Sequence, residues 1–217
     1  MKLKGKKIAF LGDSITQGVG ASRPENAYVS LFKEAHPEAN VYNYGISGTR
    51  ISRQKEPSNH PQVDGLDFIL RADTMEADLD VVFIFGGTND YGHGTDVLGK
   101  FGDDTPYTFY GALRVLTEKL YKKYPLARIV YLTPLHRAGE DSPAPCVKGG
   151  EPLEKYAQAI RENAAHYSCP VVDLWTSTNM QPNIPENNAA YFADGLHPND
   201  NGHKRIFETV DSFLKNL

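Results

Sequence analysis

Cysteine is nearly absent from this 217-residue chain, which holds only Cys146 and Cys169. Their separation fits no metal-ligand pattern, and without an export signal they read as two reduced thiols, with Cys169 in the core beside a strand. Long apolar runs are missing as well. No stretch approaches the roughly 20 residues that a membrane span needs. The apolar residues after the basic start (Lys2, Lys4, Lys6, Lys7) stop at Leu11, too soon for a signal-peptide core. A cytoplasmic protein without a membrane span is therefore expected. Positive charge is not in excess either: 23 Lys and Arg stand against 27 Asp and Glu, a formal net charge of -4. That balance leaves no basic footprint for a phosphate backbone and argues against a nucleic-acid partner. Repeats and low-complexity tracts are absent. So is the Gly-x-Ser-x-Gly elbow of the α/β-hydrolases. Residues 12–18 lack the spacing and the Lys-Ser/Thr of a phosphate loop, which disfavours nucleotide binding. His36, His60, His93, His136, His166 and His203 are scattered without ligand spacing, so no metal and no other cofactor is expected. Oligomeric state is not legible.

What is present is an ordinary globular composition, 40% hydrophobic and 23% charged, enough to bury a core in one domain spanning residues 1–217. The pattern predicts strands at 8–11, 40–44, 80–85, 128–132 and 171–174. Helices are predicted at 27–36, at 153–167, at 203–217, and over a segment that Pro106 opens and Pro125 closes. Residues 80–85 (Asp-Val-Val-Phe-Ile-Phe) show no polar alternation, as a strand covered by helices on both faces should. Strands alternating with helices imply a parallel sheet with right-handed crossovers and helices on both sides, an α/β fold. Four polar segments, 50–64, 91–105, 134–150 and 175–193, read as long loops, and loops of that length are usually functional.

Ligands of open parallel sheets bind outside the carboxyl ends of the strands. Here those ends deliver Gly12-Asp13-Ser14, Gly45-Ile46-Ser47-Gly48, Gly86-Gly87-Thr88-Asn89-Asp90 and Thr133-Pro134-Leu135-His136-Arg137. The loop after the fifth strand leads to Asp194-Gly195-Leu196-His197. Serine acyl transfer needs a nucleophile, a base and a group to orient the base, and Ser14, His197 and Asp194 supply them. It also needs donors aimed at the developing oxyanion; the backbone N–H groups of Ser14 and Gly48 and the Asn89 amide are the candidates. Each residue has a bland reading alone: Ser14 as a helix cap, Asp194-Gly195 as a turn before a helix capped by Asn199 or Asp200, Gly48 as a turn glycine, Asn89 bound to its own loop. Their joint occurrence at successive strand ends is harder to explain that way. Asp13, Tyr91, His136 and Arg137 are candidates for substrate contact. For His136 and Arg137 the alternative is loop packing, and the aromatic residues Tyr91, Phe101, Tyr107, Tyr191 and Phe192 either line an acyl or sugar pocket or hold down their own loops.

These four blocks resemble those of the SGNH, or GDSL-type, hydrolases: Gly12-Asp13-Ser14-Ile15, Gly45-Ile46-Ser47-Gly48, Gly87-Thr88-Asn89-Asp90 and Asp194-Gly195-Leu196-His197-Pro198, in the family's order. Ile15 in place of leucine is the one departure. The resemblance implies a three-layer α/β/α sandwich with a flavodoxin-like sheet in the order 2-1-3-4-5. It also implies Ser14 as nucleophile, His197 as base, Asp194 as its orienter, and Ser14, Gly48 and Asn89 as the oxyanion hole. The expected activity is hydrolysis of a small-molecule ester through an acyl-enzyme, with short acyl groups on a polar or carbohydrate alcohol favoured by the polar loops. The alternatives are a lysophospholipase-, lipase- or thioesterase-like acylhydrolase and, in another class, a non-catalytic glycan- or partner-binding protein on the same fold.

Overall fold

The computed structural model describes residues 3–55, 57–58, 60–147 and 150–215. Runs rich in β-branched and aromatic residues form β1 (Lys7–Gly12), β2 (Asn40–Gly45), β3 (Val81–Phe85), β4 (Arg128–Leu132) and β5 (Val171–Val172). All pair in parallel, in the order β2-β1-β3-β4-β5. The helices among the described residues are α1 (Ser14–Gln17), α2 (Tyr28–Ala35), α3 (Phe68–Thr74), α4 (Thr88–His93), α5 (Phe109–Lys123), α6 (Leu153–His166), α7 (Leu174–Ser177), α8 (Pro185–Tyr191) and α9 (Asp200–Lys215).

Alternate strand residues enter two separate cores, which is why the central strands are apolar at every position. On one face Ala9, Leu11, Val82 and Ile84 pack with Phe68 and Ile69 of α3, Leu113 and Leu116 of α5 and Ile160 of α6. On the other, Ile8, Phe10, Phe83 and Val130 pack with Phe32 of α2 and Ile206 and Val210 of α9. The rings of Phe10 and Phe83 stack at 4.8 Å, and Phe32 meets Phe10 edge-on at 5.2 Å. This is the expected three-layer arrangement. Register then decides where the loops lie: Gly12 is level with both Gly45 and Phe85, and Phe85 with Leu132. Four strand-end turns therefore open on one edge.

Several elements differ from the sequence expectation. The crossover between β2 and β3 contains α3, which its short length and its Arg71 conceal; Asp67 caps it by accepting from the Leu70 N–H at 3.0 Å. The middle helix begins at Phe109, capped by the Thr108 hydroxyl on the Gly111 N–H at 3.1 Å, so Pro106 lies outside it. The last helix starts at Asp200 because Asn199 Oδ1 accepts from the Asn201 and Gly202 N–H groups at 3.0 and 3.2 Å. The segment 175–193 holds most of α7 and all of α8, and the fifth strand is only two residues long. Residues 216 and 217 of the predicted last helix, like 56, 59, 148 and 149 of two predicted loops, lie outside the described residues. No helix among the described residues is long and apolar enough to cross a membrane.

Arg71 is 6% exposed, and its guanidinium donates to the carbonyl of Gly12 at 3.0 Å, the hydroxyl of Thr49 at 2.8 Å and the carbonyl of Tyr44. Burial lowers its pKa to about 10, which still leaves it charged at neutral pH. Arg71→Met removes one donor from three acceptors at once, the Gly12 carbonyl keeping the Ile46 N–H at 3.2 Å, and is expected to cost about 3–5 kcal/mol in urea unfolding. Arg71→Lys should recover little of this, because an ammonium cannot copy the fork. A loss below 1 kcal/mol in either variant would show that the three acceptors find other partners.

Candidate active site

Ser14 is the first residue of α1, so its N–H has no helical acceptor and faces the strand-end edge. Gly12 makes the sharp turn before it possible, since a Cβ there would sit 1.9 Å from Thr16 Oγ1. The acid–base segment arrives from the far end of the chain as a turn closed by an antiparallel bridge between Phe192 and Pro198. Gly195 enters the left-handed region at φ 79, and its carbonyl accepts from the Ala138 N–H at 2.8 Å.

These two segments meet in a chain of hydrogen bonds. His197 Nε2 lies 3.0 Å from Ser14 Oγ, and His197 Nδ1 lies 2.7 Å from Asp194 Oδ2. Asp194 Oδ1 also accepts from the N–H groups of Leu196 and His197 at 2.9 and 2.7 Å. Burial would raise the Asp194 carboxyl, but the bonds from His197 and Leu196 outweigh it and hold the group below the usual carboxylate range. An ionised Asp194 only accepts, so the network places the imidazole hydrogen on Nδ1 and leaves Nε2 to accept from the serine hydroxyl.

The serine opens into a cavity of about 310 Å³ lined by Ser14, Val19, Ser47, Gly48, His60, Gln62, Asn89, His93, Leu196 and His197. Asn89 is buried; its Nδ2 donates to the Thr49 carbonyl at 3.0 Å, which orients the amide and leaves its second hydrogen free to turn to the cavity. Asp90 beside it accepts from the Ile51 and Ser52 N–H groups at 3.1 and 2.8 Å and from the Ser52 hydroxyl at 2.6 Å, which fixes the segment carrying Thr49. The Ser47 N–H donates to Gln17 Oε1 at 2.7 Å and ties the glycine turn to α1.

Ser14, Gly48, Asn89 and His197 thus share one cavity, and Asp194 backs His197. The four residues suggested for substrate contact do not line it. Asp13 is 1% exposed and caps α1, its Oδ1 accepting from the Ile15 N–H at 3.0 Å. Tyr91 is buried and donates to the carbonyls of Gly139 and Ser142 at 2.7 and 3.1 Å, pinning the loop after β4. His136 pairs with Glu140 at 2.7 Å and packs on Trp175. Arg137 donates to the Thr88 carbonyl at 3.0 Å, with its guanidinium over the Tyr91 ring. A position at a strand end does not say which way a side chain turns, and these four turn inward.

His60, Gln62 and His93 line the cavity although sequence reasoning did not select them. His93 lies one helical turn after Asn89 on α4, and that i, i+4 spacing was a usable signal. Its Nδ1 lies 2.8 Å from the Arg50 guanidinium, and its ring packs against His60 with centroids 4.3 Å apart. Arg50 is 2% exposed and also pairs with Asp64, whose carboxylate accepts from the Ser58 N–H at 2.8 Å. Burial, reinforced by the Arg50 charge, pushes the His93 pKa down to about 4. Among the described residues no group of three His, Cys, Asp or Glu side chains is placed to hold a metal ion.

The sequence model of the GDSL-like Lipase/Acylhydrolase family matches residues 10–205. The chain belongs to that family. A protein from Lactobacillus plantarum of known crystal structure is 30% identical, with 99% of each chain covered and a TM-score of 0.84. A possible lipase from Chitinophaga pinensis shares the fold at 23% identity, with 97% of this chain and 98% of that one covered and a TM-score of 0.70. A two-domain esterase active on acetylated mannans shares it at 23% identity and a TM-score of 0.64, over 99% of this chain and 49% of that one. No curated protein sequence matches.

Burial pushes the Asp13 carboxyl up to about 7, and Asp90 adds to this against the opposing pull of the Ile15 N–H and Arg71. A folded pKa above the ordinary value of 3.8 means that the folded chain keeps a proton which the unfolded chain releases. Raising the pH from about 4 to about 7 therefore costs stability at this group. Asp13→Asn keeps an oxygen for the Ile15 N–H and removes that cost. The variant is expected to melt several degrees above the parent at pH 8, with the gain vanishing toward pH 4; thermal melts giving the same gain at both pH values would refute the buried-proton account.

Proposed function

We propose that this GDSL-like acylhydrolase cleaves short-chain, most simply acetyl, esters of a polar or carbohydrate alcohol through an acyl-enzyme on Ser14. The observation that carries the reading is the hydrogen-bonded chain Asp194–His197–Ser14 opening into a small cavity. In the proposed reaction Ser14 Oγ attacks the ester carbonyl as His197 Nε2 takes its proton, and Asp194 stabilises the imidazolium that forms. The oxyanion is received by the backbone N–H groups of Ser14 and Gly48 and by Asn89 Nδ2. His197 returns its proton to the departing alcohol oxygen, and water, activated by His197 in turn, releases the acid.

Size supports a short acyl group: a volume of about 310 Å³ is small for a ligand site and leaves little room for a long acyl chain. The mannan-active esterase with the same fold supports an acetylated carbohydrate as the substrate class.

Ser14→Ala is expected to abolish turnover of 4-nitrophenyl acetate and labelling by a fluorophosphonate probe; a variant that keeps either is incompatible with the nucleophile. Asn89→Ala should lower kcat by about 10²–10³, the usual loss for one oxyanion donor, and an unchanged kcat would remove it from the hole. Across 4-nitrophenyl esters from acetate to palmitate, kcat/KM should be highest at the short end. A preference for long chains would move the protein to a lipase-like role.

A further inference from the structure

Resting on the esterase reading above, we propose that His93 is a specificity-determining residue: its Nε2–H binds an oxygen of the alcohol half of the ester, a hydroxyl or ring oxygen of a polyol. The argument begins at the buried side of the ring. An arginine guanidinium has donors and no acceptor, so the 2.8 Å contact with Arg50 requires His93 Nδ1 to be the acceptor. The single hydrogen of the neutral ring is then on Nε2. Doubly protonated His93 would set two donors face to face and a cation beside a buried cation.

The surroundings fix this choice. Arg50 is held by Asp64, and Asp64 by the N–H and hydroxyl of Ser58 at 2.8 and 2.5 Å, so the charge behind the ring is anchored. His60 packs on the ring and limits its rotation. With Nδ1 committed to Arg50, the cavity that His93 lines faces a ring whose remaining polar group is a donor.

Position gives the donor its meaning. Asn89 and His93 are four residues apart on α4, which places their Cβ atoms about 5–6 Å apart on one helix face. An ester carbonyl held at Asn89 and Ser14 therefore brings the alcohol half within reach of His93. An alkyl or aryl alcohol would leave the donor unpaired, whereas a polyol pairs it, and a site built to hydrogen-bond its substrate discriminates against analogues that cannot. His93 takes no proton in the reaction; it binds.

The test compares kcat/KM for a mono-O-acetylated methyl glycoside with that for 4-nitrophenyl acetate, as a ratio. In His93→Leu the ratio should fall about tenfold or more, mainly through KM on the sugar ester. In His93→Gln, where Oε1 can accept from Arg50 and Nε2 can donate to the cavity, it should stay within about threefold of the parent. An unchanged ratio in His93→Leu, or equal falls in both variants, overturns the assignment. If the variants do not fold, nitrogen-15 NMR of the unmodified protein decides. A neutral ring with its hydrogen on Nε2 at pH 7 is expected, and hydrogen on Nδ1 overturns it. A parent protein inactive on both esters overturns the esterase reading itself, whereas an active parent whose ratio ignores His93 overturns only the role of His93.

Discussion

The Arg71 guanidinium binds the carbonyls of Gly12 and Tyr44 and the hydroxyl of Thr49 together, joining the ends of β1 and β2 from beneath. Thr49 is also the acceptor for Asn89 Nδ2, so the same residue orients the amide at the end of β3. Three strand-end turns are thereby tied to one another by bonds that are mostly buried. All three donors of the proposed oxyanion hole hang on this junction: Ser14 follows Gly12, Gly48 precedes Thr49, and Asn89 leans on the Thr49 carbonyl. A preorganised set of donors needs such a support, because a hole that must reorganise during reaction gives back much of what it stabilises. The Arg71 charge also draws down the Asp13 carboxyl next to Ser14, against the burial and the Asp90 charge that push it up to about 7.

The second half of the arrangement has to be brought from the opposite end of the chain. His203 of α9 bridges back to the start: its Nδ1 lies 3.4 Å from the Tyr28 N–H, and its Nε2 lies 3.2 Å from the Val19 carbonyl. Asp200 accepts from the Ser22 N–H and hydroxyl at 2.8 and 2.6 Å. Gly20 lies against the Pro198 carbonyl, where a Cβ would come within 2.2 Å. The residues just after Ser14 and just after His197 are thus packed on each other. The 3.0 Å contact between His197 and Ser14 follows from helix docking and from a glycine that permits close approach.

What could be read from the sequence divides along physical lines. β1, β3 and β4 were legible because strands buried on both faces carry continuous apolar runs. The convergence of Ser14, Gly48, Asn89, Asp194 and His197 was legible because an open parallel sheet delivers its carboxyl-end turns to one edge. Asp13, Tyr91, His136 and Arg137 are not among the residues lining the cavity, since a polar side chain at a strand end serves equally well as a helix cap or a loop anchor. Helix α3 was missed because seven residues give barely two turns of periodicity and its central charge, Arg71, imitates a surface position. Arg50 was missed for the same reason: nothing local distinguishes an arginine that is 2% exposed from one in solvent. Their burial depends on acceptors that arrive from distant segments, and no short window contains both.

Two of the three histidines that line the cavity have their behaviour set by what touches Nδ1. At His197 the partner is a carboxylate, so Nδ1 carries the hydrogen and Nε2 presents a lone pair to Ser14. At His93 the partner is a guanidinium, so Nδ1 presents the lone pair inward and Nε2 carries the hydrogen. His197 has a carboxylate on Nδ1, whereas protonation of His93 is opposed by burial and by Arg50. His197 therefore moves the proton in the proposed reaction and His93 does not. In the proposed reaction this separates proton transfer at the serine from recognition of the leaving alcohol, although both use the same residue type within one small cavity. The separation also keeps the two from competing: if His93 were free to ionise, its charge would disfavour the imidazolium that must form on His197. The Arg50–Asp64 pair, which begins two residues after Gly48, anchors the charge that keeps His93 neutral in the cavity wall.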